Sequence, residues 1–213
     1  MLGYINYIYK YMLFVKTLKE KKMEYKIVNL VASSSLGASL DLYNLATAIP
    51  EVEYEPEQFP GAILKMDEPR VSLLLFKNGN IIISGASCEK DIKTAIKKAT
   101  KIIGEVQKGV TLKERVSYKI VNLVATSNLN KQIDLFNAAV TLDNIEYEPE
   151  QFPGAIVRLF NPKLTMLLFK NGKLICAGAK SEEDIVKGLN KLKKVLAGQK
   201  NVNIEEKTSK KKK

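Results

Sequence analysis

Few side chains in this chain of 213 residues could carry out covalent or acid–base chemistry. There is no histidine, and the two cysteines, Cys88 and Cys176, lie far apart. The missing imidazole removes the commonest general base. Without a CxxC pair there is no zinc-ligand set and no disulfide framework, and such cysteine usage points to a reducing, cytosolic interior. No glycine loop to cradle phosphate, no nucleophile beside a base and no metal-ligating cluster can be found, so neither an enzyme nor a cofactor is expected. What remains is the chemistry of recognition. The same eleven residues, EYEPEQFPGAI, stand at 53–63 and again at 146–156. Each copy holds a glutamate-proline turn and then a phenylalanine, Phe59 or Phe152, followed at once by Pro-Gly. A bulky apolar ring is thus written twice at a loop-to-strand corner that water should reach.

Charge is a weaker guide. The net charge is +11, but residues 1–22 and 198–213 each hold +4 of it, leaving +3 on 23–197. Terminal lysine runs usually solubilise disordered tails, so total charge alone does not establish a nucleic-acid partner. No run of about 18 apolar residues marks a membrane span. The opening stretch, MLGYINYIYKYMLFVKTLKEKK, is tyrosine-rich, interrupted at Lys10, and lacks a small-residue cleavage site, so it is a poor signal peptide. It is expected to be a disordered, dispensable extension or an upstream start, with the functional chain beginning at Met23.

The elements that must position the phenylalanines repeat as well. Residues 25–104 align with 118–197 at a constant offset of 93, without a gap and with 40 identities in 80 positions. A unit of this length in two copies is no solenoid. It implies two pseudo-symmetric halves, 23–108 and 109–197, followed by a basic tail at 198–213. Each half parses alike. YKIVNLVA is a strand. Residues 39–49 form a short helix with Leu42, Leu45, Ala46 and Ile49 on one side. FPGAILKM is extended, because a residue before proline avoids the helical region. RVSLLLF and NIIISGA are strands joined by an Asn-Gly hairpin signal. A long helix follows, with Ile92, Ile96, Ala99 and Ile103 at helical spacing, and its twin opens on SEED, a capping-box pattern. The order β-α-β-β-β-β-α, twice, makes an α+β protein with an antiparallel sheet.

The strands break the usual one-sided alternation. Val71, Leu73 and Leu75 can face the helices, yet Leu74 and Phe76, which face the other way, are also apolar. Ile81 and Ile83 share one face, and Ile82 and Ser84 the other. Leu167, Phe169 and Ile175 repeat the pattern. With one long and one short helix per half, the second face is left uncovered. It is either lost in a dimer or is a binding surface.

At these residues the chain resembles the TATA-box-binding protein family in its archaeal form, over about 25–197. The motifs that carry the resemblance are IVNLVA twice, YEPEQFPGAI twice, and LLFKNGKLICAGAK with its sister, in the same order. The resemblance implies a saddle: one curved, ten-stranded antiparallel sheet with helices on the convex face and the minor groove of DNA beneath. It implies that Phe59 with Phe76, and Phe152 with Phe169, wedge between base steps. In this family, whose known behaviour supplies the figure, each unstacked step costs about a few kcal/mol, repaid by the surface that a bent duplex can touch. By the same resemblance Asn29 and Asn122 lie near the pseudo-dyad, where an amide can donate to A N3 and T O2. Val31, Val124, Leu74, Leu167, Ile82 and Ile175 form an apolar floor that disfavours the guanine amino group, beside Ser84. Lys65, Arg70, Arg158, Lys163 and Lys173 map to phosphate contacts, with Lys77 and Lys170 as additions.

The implied partners are A·T-rich promoter DNA, transcription factor B through Glu148, Glu150 and Gln151, and RNA polymerase indirectly. The first-half loop is identical at Glu55, Glu57 and Gln58. The implied location is the cytoplasm, at the nucleoid. The other class left open is an interaction module that dimerises through its apolar sheet face without DNA. Three departures from the family stand out: Ala177 where a threonine is usual, Asn80 where a lysine is usual, and Ser87 where the second half has Lys180. Cys176 should point to the helix side as an apolar filler, and Cys88 should sit inert at a helix start.

Overall fold

The computed structural model describes residues 23–108 and 117–198; the expected extension at 1–22 and nearly all of the basic tail lie outside the described residues. The first half runs β1 (Tyr25–Ser35), α1 (Leu42–Ala48), β2 (Val52–Glu53), β3 (Gly61–Met66), β4 (Val71–Phe76), β5 (Asn80–Ala86) and α2 (Glu89–Val106). The second repeats it as β6 (Tyr118–Asn128), α3 (Leu135–Thr141), β7 (Ile145–Glu146), β8 (Gly154–Phe160), β9 (Lys163–Phe169), β10 (Lys173–Ala179) and α4 (Glu182–Leu196). This is the order expected per half. The short helix starts later than expected, at Leu42, because the Asp41 carboxylate accepts from the Asn44 N–H and caps it there. Helix α2 continues two residues into the expected connector, to Val106.

All ten strands form one antiparallel sheet in the order β2-β3-β4-β5-β1-β6-β10-β9-β8-β7. The order reads the same from either edge, with β1 and β6 as the central pair. Alternation along the strands divides the sheet into two faces. Val71, Leu73, Leu75, Ile81 and Ile83, with Leu164, Met166, Leu168, Leu174 and Cys176, are buried against the helices. The long helices supply Ile92, Ala95, Ile96, Ala99 and Ile103 from α2, and Ile185, Leu189 and Leu192 from α4. No described helix covers the other face, where Leu74, Phe76, Ile82, Leu167, Phe169 and Ile175 are half-buried.

Both long helices are held at their starts. The Asp91 carboxylate accepts from the Ser87 and Cys88 N–H groups and the Ser87 hydroxyl, and these bonds lower its pKa. In α4, the Ser181 hydroxyl accepts from the Asp184 N–H and Asp184 accepts from Lys180 N–H. Cys176 lies on the helix side as expected, and burial pushes its thiol pKa up to about 11. Cys88, at the N-cap, is exposed.

Candidate nucleic-acid interface

The centre of the open face is built on an irregularity. Between Ile27↔Ala125 and Asn29↔Val124 the β1–β6 ladder skips Val28, and between Val31↔Asn122 and Ala32↔Ile120 it skips Val121. An extra residue in a strand puts two neighbours on one side. Val28 and Asn29 therefore both face away from the helices, as do Val121 and Asn122. Val28 is 44% exposed and Val121 37%. Neither was identified from sequence, since YKIVNLVA reads as one apolar run and a bulge in it leaves no mark.

The asparagines are held in one orientation. The β1–β5 ladder breaks between Leu30↔Ala86 and Ala32↔Ile83, beside Gly85, whose φ of +92° suits glycine. The Gly85 N–H donates to Asn29 Oδ1 at 2.9 Å, and the Gly178 N–H donates to Asn122 Oδ1 at the same distance. A backbone N–H can only donate, so the amide oxygen must face it. The Nδ2 hydrogens are left as the donors for anything that reaches the open face.

Around the asparagines lies the apolar floor. Val31 and Val124 are half-buried and share their face with Asn29 and Asn122. Leu74 pairs with Ile82, and Leu167 with Ile175. Ile63 and Ile156, which sequence reading passed over, extend the floor one strand outward opposite Leu74 and Leu167. Ser84 stands opposite Ser72 and donates weakly, at 3.4 Å, to the Ser72 carbonyl. Its counterpart Ala177 has no hydroxyl, but Thr165 stands opposite it. The two halves therefore differ in where their hydroxyls lie.

The phenylalanines meet as two matched pairs. Phe59 and Phe76 have ring centroids 6.0 Å apart at 63°, and Phe152 and Phe169 are 5.9 Å apart at 60°. The glycine of each Pro-Gly makes room for them. A Cβ on Gly61 would lie 2.7 Å from Phe59 Cε1 and 3.3 Å from Phe76 Cε1; on Gly154 it would lie 2.7 Å from Phe152 and 3.1 Å from Phe169. Phe59 is 39% exposed, and the other three are half-buried. The loop before each pair is one tight turn: the Gln151 and Phe152 N–H groups donate to the Glu148 carbonyl, and Gln58 and Phe59 donate to Glu55. The turn that sets each leading ring thus also carries Glu148, Glu150 and Gln151 outward, all exposed.

The five expected phosphate contacts, Lys65, Arg70, Arg158, Lys163 and Lys173, are exposed and stand at open-face positions of the alternation. Two of them are already paired. Lys65 Nζ lies 2.6 Å from Glu53, and Arg158 donates to Glu146 through Nε at 3.2 Å and Nη2 at 3.0 Å. The bonds from Arg158, and then its charge, hold the Glu146 carboxyl below its ordinary range. Both pairs are solvent-exposed, and such pairs are weak, so a phosphate group can compete for either cation. Beside Phe169 an open trough of about 790 Å³ runs along β6 and β10, lined by Thr126, Asn128, Asn171, Lys173 and Ile175.

The open face therefore combines paired rings, oriented amide donors, an apolar floor and flanking cations. Among the described residues no three or more His, Cys, Asp or Glu side chains come together to hold a metal, and no helix is long and apolar enough to cross a membrane. The family model for "Transcription factor TFIID (or TATA-binding protein, TBP)" matches residues 24–106 and 117–198. The TATA-box-binding protein of Pyrobaculum calidifontis is 42% identical over 175 residues, 82% of this chain and 87% of that protein. That of Methanothermobacter thermautotrophicus is 43% identical over 175 residues, covering 82% and 96%. The solved structure of Methanococcus jannaschii TBP superposes with a TM-score of 0.77 at 39% identity, covering 82% of this chain and 99% of that one. By sequence, by the two-fold repeat and by the ten-stranded sheet, this chain belongs to the TATA-binding protein family.

Proposed function

We propose that this chain is a TATA-box-binding general transcription factor that lays its open face along the minor groove of promoter DNA and bends it. The family is one of transcription factors and not of enzymes. The observation that carries the reading is the pair of matched ring clusters, Phe59–Phe76 and Phe152–Phe169, on the uncovered face. Each ring pair supplies the stacking that a pried-open base step loses. Between them, Asn29 and Asn122 offer amide donors to the A N3 and T O2 acceptors, which look alike on A·T and T·A pairs. The floor of Val31, Val124, Leu74, Leu167, Ile82 and Ile175 gives the guanine amino group no acceptor, so burying it there is penalised. Lys65, Arg70, Arg158, Lys163 and Lys173 hold the backbones without reading sequence.

In this reading the exposed Glu148, Glu150 and Gln151 face protein, since the two carboxylates repel DNA. They form the docking edge for transcription factor B, which brings RNA polymerase to the promoter at the nucleoid. Fluorescence-transfer bending with end-labelled duplexes tests the proposal. A TATA-like octamer should bend, a G·C-substituted octamer should not, and the complex should weaken with salt as counterions return to the phosphates. A folded protein that bends neither, yet self-associates, would assign the apolar face to a homodimer instead.

A further inference from the structure

The two halves carry nearly the same centre but unequal turns. At the end of β8, Phe160 is 62% exposed and pairs in register with Lys163 across the β8–β9 turn. Val157 and Leu159 are buried, so Ile156, Arg158 and Phe160 share the open face. The turn is pinned from the helix side, where Lys191 Nζ donates to the Asn161 carbonyl at 2.7 Å. An aromatic ring is thus held in water between two cations, about 20 Å along the strand from the wedge pair. At the same offset the first half has Asp67 and Glu68, both exposed, where the second has Phe160 and Asn161. Asn80 likewise stands where the second half has Lys173.

We infer that the β8–β9 turn is an added clamp on the DNA backbone, in which Phe160 packs on deoxyribose between phosphates held by Arg158 and Lys163. The β3–β4 turn is its weak counterpart, because Asp67 and Glu68 repel the same backbone. The inference rests on the minor-groove reading above. A sugar presents apolar carbon between two anions, and a ring flanked by two cations has the complementary order. It follows that the second half carries the larger share of the affinity, although both halves have equivalent wedges.

Fluorescence anisotropy of the full chain on a labelled TATA-octamer duplex, across several salt concentrations, tests this. Phe160→Ala should weaken binding about tenfold, as expected for losing one buried aromatic contact, without changing the salt slope, since no cation is removed. Asp67→Ala should tighten binding. Phe160→Tyr should bind like the natural chain. Because Phe160 is exposed, its truncation leaves the core untouched, which circular dichroism checks. If the natural chain binds and Phe160→Ala binds within about twofold of it, the clamp is overturned and the DNA reading stands. If the natural chain does not bind, the DNA reading itself falls.

Discussion

Tyr118, on the first strand of the second half, donates its hydroxyl hydrogen to the Glu89 carboxylate in the first turn of α2, the long helix of the first half. Tyr25 makes the mirror contact to Glu182 of α4, at 2.5 Å. Each half is therefore fastened to the helix of the other, across the β1–β6 seam. Burial, then the bond to Glu89, pushes the Tyr118 pKa up to about 12 from its ordinary 10.0. The fold thus favours the neutral phenol. The stability this gives is complete below the unfolded pKa of about 10 and is lost as pH rises through about 12.

Tyr118→Phe should lower unfolding stability by about 1 kcal/mol near neutral pH, the worth of one hydrogen bond. Its melting temperature should also fall less than that of the natural chain as pH rises from about 10 to 12. Melts across that window decide the point. A parallel fall in both proteins would mean that the Tyr118 hydroxyl does not carry the alkaline loss.

The two ring pairs, Phe59–Phe76 and Phe152–Phe169, predict a separation of fold from function. The double substitution Phe152→Ala, Phe169→Ala should abolish bending of a TATA duplex. The fold should remain, with a loss of about 0.5–1.5 kcal/mol for the ring pair beyond its buried area. Phe59→Ala with Phe76→Ala should act the same way at the other end. Energy-transfer bending and urea denaturation on the same samples provide both readouts. Unchanged bending would remove these rings from the mechanism.

Asn122→Asp is a sharper probe of the centre. An aspartate can still accept from the Gly178 N–H, so the strand geometry is kept. It loses the Nδ2 donors and places a negative charge against the groove. Affinity for the TATA duplex should fall about 100-fold or more, since each lost polar pair alone is worth about 1–3 kcal/mol, while the melting temperature stays close to that of the natural chain. Equal affinity would mean that the amide does not touch DNA.

The two cysteines should behave oppositely toward an alkylating reagent. Cys88 is exposed and Cys176 is buried with its thiol pKa near 11. Because the thiolate is the reacting form, the native protein should take up one label per chain near pH 8 and the unfolded protein two. Intact mass after quenching counts them.

Much of this architecture could be read from residue types. In RVSLLLF the alternation of Val71, Leu73 and Leu75 against Leu74 and Phe76 declares two apolar faces, and the structure buries the first set and leaves the second open. Position within the repeat paired Asn29 with Asn122. Other features were illegible for definite reasons. The bulges at Val28 and Val121 depend on which strands adjoin. The ion pairs Lys65–Glu53 and Arg158–Glu146 need the register of β2 and β7, each only two residues long. Nothing in residue type marks Phe160 as exposed; only the burial of Val157 and Leu159 on the opposite face shows that it meets water. The slots at Gly61 and Gly154 require knowing where the rings lean.

The central strand pair has an evolutionary meaning. β1 and β6 both begin YKIVNLVA, and across the seam Leu30 pairs with Leu123, its own counterpart at the repeat offset. An edge that pairs with a copy of itself in antiparallel register is self-complementary, as a two-fold interface must be. Each half thus offers along its first strand an edge that the other half matches about the Leu30–Leu123 pair, as the two subunits of a two-fold dimer do. The present chain is in effect such a dimer with its subunits fused. Two copies joined in one chain need not be identical, and here one carries an acidic turn at Asp67–Glu68 where the other has Phe160–Asn161.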